Sequence, residues 1–298
     1  MRALIVEGGG MRTLYSAGVL DAFLEDGYDD FDLYIGVSAG SIVLSSHLAG
    51  QLGRYLRLMT EPDMLSGFKS LIHYFSGGDL IDLEMLWQSS QLIEALDLKA
   101  IEKHLSGKKR FLAMAFDVDD GSSVALEPDI KSMASILKCS SAIPLLVRRP
   151  VPHNDKRFFD GGIKSSIPIK EAVENGATEI VVIRTQDAGY RKSGTLEKWL
   201  ASWMYRDLPK VKQALIYRGP SYNDQVELCL NPPHGVSIEQ IQPQHPTLCG
   251  RATTDQKSIL ADYARGLIDG RKWLHNLKKG SKSSTDFLVG KEEQTICV

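Results

Sequence analysis

The 298-residue chain has no apolar run approaching the roughly 18 residues that cross a membrane. Its opening run, Ala3 to Val6, is only strand-length, too short for a signal-peptide core, and no cleavage-site pattern follows it. Charge of one sign is missing too. With 35 Lys and Arg against 37 Asp and Glu, the formal net charge is −2, which gives no electrostatic reason to expect nucleic acid as a partner. Cysteine is scarce: Cys139, Cys229, Cys249 and Cys297 stand far apart with no CxxC spacing. Neither a zinc site nor a disulfide framework is indicated, and a reducing, cytoplasmic compartment is expected. No internal repeat is present.

What is present is an ordinary globular composition, 43% hydrophobic and 24% charged, enough to bury one large core. Strand and helix signals alternate. Ala3 to Val6 reads as a buried parallel strand, Met11 to Phe23 as a helix with Leu14, Ala17, Val19, Leu20 and Phe23 inward, Phe31 to Ile35 as a second strand and Ser41 to Leu52 as a second helix. Phe111 to Val118 and Ser122 to Leu126 flank Asp120-Gly121 as a hairpin. Met133 to Lys138 predicts a short helix, Lys156 to Phe159 a strand, Lys170 to Asn175 a helix capped by Gly176, and Glu179 to Arg184 a further strand. The expected fold is a three-layer α/β/α arrangement around a mostly parallel sheet. Residues 1–190 are expected to form the core, 191–277 a mainly helical extension completing the same domain, and 278–298 a polar, flexible tail.

Two glycine clusters fall where such folds bind ligands, at the carboxyl ends of strands. The first, "EGGGMRT" from Glu7 to Thr13, can turn backbone amides toward an anion. It lacks the lysine of a phosphate-binding P-loop, and it has Thr13 where a dinucleotide fingerprint needs glycine, although Asp30 or Asp32 stands near the ribose-binding position. The alternative is an oxyanion hole built from the amides of Gly9, Gly10 or Met11. The second cluster, "GVSAG", sets Ser38 between Gly36 and Gly40 at a strand-to-helix junction, the setting of a nucleophile elbow. A serine nucleophile needs a base. Asp160, in "RFFDGG", is one candidate; a Ser-Asp-His triad using His234 or His245 is another, and a non-catalytic anion- or nucleotide-binding loop is a third reading.

The ordered set "GGGMR", "GVSAG", "CSSAIP" and "DGG" resembles the patatin-like phospholipases over roughly residues 1–185, and the stretch from Gln242 to Leu274 more loosely resembles the C-terminal segment of uncharacterised bacterial members. The resemblance implies a lipid acyl hydrolase that cleaves carboxylic esters through an acyl-enzyme intermediate. In it Ser38 is the nucleophile and Asp160 its sole partner. Gly8, Gly9, Gly10, Met11 and Arg12 form the oxyanion loop, Gly36 and Gly40 shape the elbow, and Gly161 and Gly162 support the aspartate. No metal or other cofactor is implied. The expected substrate is a lipid or a small ester, from phospholipid to acylglycerol or thioester.

Thr13 departs from the family, which usually has glycine after the arginine, and is expected to satisfy a helix-start amide. Cys139 stands where the family often has alanine and is read as a packed thiol. "DVDDG" (Asp117 to Gly121) lacks the further ligands of a calcium loop and is read as the hairpin turn. The aromatic, basic stretch from Leu196 to Arg218, with Lys198, Trp199, Trp203, Arg206, Lys210 and Lys212, is read as core-packing tryptophans with a solvated basic face, interrupted at Pro209. Transient contact with a membrane surface is its second reading. Phe68 to Phe75 is a candidate lid or acyl-chain wall, or else core.

Overall fold

The computed structural model describes residues 1–65, 78–193 and 204–292. Phe68 to Phe75 and the segment from Leu196 to Trp203 lie outside the described residues. Strand β1 (Arg2–Val6) is apolar on both faces, as a strand covered on both sides must be. It pairs in parallel with β2 (Leu33–Val37) and with β7 (Glu179–Ile183). β3 (Arg110–Asp117) extends the parallel array beyond β2, and β8 (Ser237–Ile241) extends it beyond β7.

Successive side chains of β1 divide the core between the two faces. Leu4 and Val6 pack with helices α1 (Thr13–Asp26), α2 (Ala39–Leu48) and α7 (Met133–Ser141). Ala3 and Ile5 pack with α8 (Ile169–Glu174) and α9 (Pro209–Leu230). Helices α3 (Arg54–Thr60), α4 (Pro62–Leu65), α5 (Leu83–Glu94) and α6 (Leu98–His104) fill the chain between β2 and β3. The long α10 (Gln256–Glu292) packs along α1. Each fully buried aliphatic or phenyl side chain contributes roughly 1.5–3 kcal/mol, so the two-sided cover is what makes the parallel array stable.

The expected three-layer, mostly parallel architecture is present, with differences that have local causes. Helix α1 is buried through Phe23 on every side rather than on one stripe, because α10 covers the face turned away from the sheet. The contact is backbone-close: a Cβ added at Gly266 would lie 1.9 Å from the Tyr15 carbonyl oxygen, and one at Gly18 2.1 Å from that of Tyr263.

β6 (Lys156–Asp160) runs antiparallel, paired with β3 and with β5 (Val151–His153), a strand the periodicity did not reveal. The reason is the link between them. Asn154 and Asp155 both take positive φ, 47° and 59°, as in the tight hairpin turns that force the chain back on itself. β4 (Ser122–Leu126) forms the expected hairpin with β3. Pro209 starts α9 instead of interrupting a helix, since its missing N–H is no loss in the first turn; Pro220 lies inside that helix. No helix among the described residues is long and apolar enough to cross a membrane.

Candidate active site

Ser38 follows β2 directly and precedes α2 with φ 56° and ψ −132°, a conformation strained for a residue bearing a Cβ. Its neighbours permit this. A Cβ at Gly36 would sit 2.4 Å from Ser41 Cα, and one at Gly40 2.4 Å from the Val6 carbonyl oxygen. The strand turns into the helix only because both side chains are absent. Ser38 N–H donates to Ser140 Oγ at 3.0 Å, and the Ser38 carbonyl accepts from Ser41 Oγ at 2.6 Å. The Ser38 hydroxyl is not used as a helix cap, so it stays available at the positive end of the α2 dipole.

Asp160 reaches Ser38 through β3. Ala113 and Met114 of β3 pair with both β2 and β4, whereas Ala115, Phe116 and Asp117 pair with both β4 and β6. β4 therefore holds one edge, and β2 and β6 follow one another along the other, with their carboxyl ends meeting. Val37 is opposite Met114 and Asp160 opposite Ala115, so Ser38 and Asp160 emerge at the same level. The Ser38 side chain faces the Asp160 carboxylate across one small cavity, and that carboxylate accepts the Gly162 N–H at 2.7 Å. Burial raises the Asp160 pKa above the ordinary carboxylate range, against the opposing effects of Ser38, Arg218, the Gly162 amide and Arg251. Phe158 and Phe159 are buried beside it. Gly161 lies against β3, where a Cβ would come 2.5 Å from the Met114 carbonyl oxygen. The Gly162 carbonyl accepts from Ser166 Oγ and Arg218 Nε.

The glycine loop packs against both. A Cβ on Gly8 would collide with the Val37 carbonyl at 2.5 Å, and Gly10 adopts φ 59° beneath the Arg251 carbonyl. Thr185, just beyond β7, clamps the loop. Its N–H donates to Glu7 Oε2 at 2.8 Å and its hydroxyl to the Gly8 carbonyl at 3.1 Å. From the other side the Arg251 carbonyl accepts the Met11 N–H at 3.2 Å. The Arg251 segment is tied in turn to α10, because Asp262 accepts the N–H groups of Leu248 and Cys249. Thr13 does not accept a helix-start amide; its hydroxyl donates to the Gly10 carbonyl at 2.6 Å and is hydrogen-bonded to Tyr55 Oη at 2.8 Å.

Two cavities meet at Ser38. The larger, about 340 Å³, runs from Ser38 past Ile42, Leu58, Leu86, Trp87 and Leu146 and is almost wholly apolar. The smaller, about 50 Å³, is bounded by Ser38, Asp160, Gly8 to Gly10 and a set of charged side chains including Arg12 and Arg251. His234 and His245 are exposed and line neither cavity. Cys139 is buried and its thiol is pushed up to about 12, as expected of a packed thiol. Asp117 closes the "DVDDG" turn by accepting the amides of Asp119 and Asp120 and pairing with Lys156. Among the described residues no cluster suited to a metal ion occurs. Ser140 lay within the CSSAIP motif with no role assigned to it, and Thr185 and Arg251 escaped the sequence reading; Arg251 was within reach, in the stretch already compared with bacterial proteins.

A family model described as patatin-like phospholipase matches residues 4–173, and a second, a domain of unknown function (DUF6363), matches residues 208–281. The chain is 30% identical over 281 residues to the uncharacterized protein YjjU of Escherichia coli, covering 93% of this chain and 78% of that protein. It is 26% identical over 190 residues to the probable lipid hydrolase 463L of Invertebrate iridescent virus 6, covering 58% of this chain and 63% of the viral one. Among solved structures, VipD from Legionella pneumophila aligns at 13% identity and TM-score 0.43, over 92% of this chain and 67% of that one. A chain of the SpcU–ExoU complex of Pseudomonas aeruginosa aligns at 16% identity and TM-score 0.31, over 74% and 53%.

Proposed function

This chain belongs to the patatin-like phospholipase family, and from that premise we propose that it is a lipid acyl hydrolase working through a Ser38–Asp160 dyad. The observation that carries this reading is a serine on a strained elbow and a buried aspartate lining one small cavity, at the mouth of an apolar one. The similar viral protein, a probable lipid hydrolase, supports the same substrate class.

An ordinary aspartate, with a pKa of about 3.9, is too weak a base for a serine hydroxyl. Burial raises the basicity of Asp160, so it accepts the Ser38 proton as Oγ attacks the ester carbonyl. The negative charge that develops on the carbonyl oxygen is held by the amides of Gly9 and Gly10, with Arg12 adding positive charge nearby; the Met11 amide is already engaged by Arg251. As the ester C–O bond breaks, Asp160 returns the proton to the departing alcohol oxygen. The acyl group stays on Ser38 with its chain in the 340 Å³ cavity. Water then attacks the acyl-enzyme, Asp160 again taking the proton, and Ser38 is regenerated with release of a carboxylic acid.

A fluorophosphonate probe tests the reading directly. Wild-type protein is expected to label and to hydrolyse a fatty-acyl ester, whereas Ser38→Ala does neither and Asp160→Asn loses about 10⁴-fold in turnover. Labelling and hydrolysis that persist in Ser38→Ala overturn it.

A further inference from the structure

The small cavity beside Ser38 is cationic. Arg12, Lys192, Arg218 and Arg251 line it against only two carboxylates, Glu7 and Asp160, and both of these are engaged. Glu7 accepts the Thr185 N–H, while Asp160 accepts the Gly162 N–H. Among the described residues Arg12 forms no side-chain hydrogen bond or ion pair, and burial together with the nearby charge of Arg251 holds its pKa below the usual guanidinium range. Arg218 is steadied by donating Nε–H to the Gly162 carbonyl at 3.0 Å, and Lys192 Nζ lies 5.2 Å from the centre of the Tyr222 ring. Like charges gathered in one place repel, and a bound anion relieves that repulsion.

The sign of the lining narrows the ligand. A water needs about 10–15 Å³ of such a cavity, so the 50 Å³ next to Ser38 takes the reacting ester group itself, and a phosphate further along the leaving alcohol is met by the half-buried and exposed cations around that space. An ammonium would enter among four cations, with both lining carboxylates already engaged.

Resting on the hydrolase reading, we propose that the cations lining this cavity receive a terminal phosphate monoester on the leaving alcohol, so that the preferred substrates are acyl esters of a phosphorylated polyol such as an acylglycerol phosphate. Attack by Ser38 breaks the acyl C–O bond and Asp160 protonates the alcohol oxygen. The phosphorylated alcohol then departs from the polar side while the acyl group stays on the apolar side. Two of the four cations, Arg218 and Arg251, come from the region matching the domain of unknown function, which acquires a chemical role as half of the phosphate site.

The test compares lauroylglycerol phosphate, lauroylglycerol and lauroylglycerophosphocholine under identical salt. Wild-type enzyme is expected to favour the phosphate monoester over both others in kcat/KM by about tenfold or more, as expected of a charge-assisted contact. In Lys192→Gln and Arg251→Gln that ratio falls toward one, through KM. In a second arm, inorganic phosphate is expected to inhibit lauroylglycerol hydrolysis competitively, beyond the effect of chloride at equal ionic strength. A wild-type ratio near one, equal use of the choline ester, or phosphate inhibition no stronger than that of chloride overturns the inference while leaving the hydrolase standing. Absence of hydrolysis of all three esters instead counts against the hydrolase reading itself.

Discussion

Asp160, the proposed base, resists ionising where it sits. Burial favours its neutral form, so the acid limb of a kcat/KM–pH profile is expected above the range of an ordinary aspartate, whose pKa is about 3.9. Stability follows the same linkage with the opposite benefit. Between the unfolded pKa and the raised folded one the native state binds more protons, so the contribution of Asp160 is fully present below the unfolded pKa and is lost as pH rises through the folded one. Asp160→Asn should therefore unfold at a higher temperature than wild type at neutral pH, while losing turnover; calorimetry beside a rate assay checks the pair of outcomes, and a lower melting temperature contradicts it. Ser38 and Asp160 were legible in the sequence because their surroundings are written locally, as small residues flanking each. The engagement of the Met11 amide was not, because the Arg251 carbonyl that accepts it lies in a distant part of the chain.

Among the elements, the α1–α10 contact depends on missing side chains. Gly266 meets the Tyr15 carbonyl, and a Cβ at Gly270 would lie 2.9 Å from Ala22 Cβ. Gly266→Ala is expected to destabilise by on the order of 1–3 kcal/mol through overpacking, despite the about 1 kcal/mol that alanine gains over glycine in a helix. Urea unfolding measures it, and a more stable variant would mean that the helices can separate without penalty. Element types were easy to read where apolar runs were long, as in β1 and β7. Boundaries drifted: β2 runs over Leu33–Val37, two residues later than expected, because Phe31 is apolar yet belongs to the approach. The direction of β6 was hidden because it follows from a turn at Asn154 and Asp155, whose positive φ values have no signal in hydrophobic periodicity.

At the scale of the molecule the site is shared between distant stretches of chain. The glycine loop is clamped by Thr185 from one side and by the Arg251 carbonyl from the other, and Asp262 on α10 holds the latter by accepting two backbone amides. Asp262→Ala leaves the buried Cys249 amide unpaired, at about 1–3 kcal/mol. It should also slow fluorophosphonate labelling of Ser38 at temperatures where the variant is still fully folded. Labelling at the wild-type rate would show that Gly10 and Met11 hold their geometry without the clamp. No local pattern could reveal this coupling, since it joins residues that only the folded chain brings together.

The end-to-end meeting of β2 and β6 on β3 also has a meaning in time. A ribosome makes the chain from its amino end, so Ser38 emerges well before β3, β3 before Asp160, and Arg251 later still. Until β3 has splinted both strands Ser38 has no Asp160 beside it, and until Arg251 has closed over Gly10 its loop is untied. On the proposed mechanism an unfinished chain is thus chemically silent, and the complete site arrives only with the last third of synthesis.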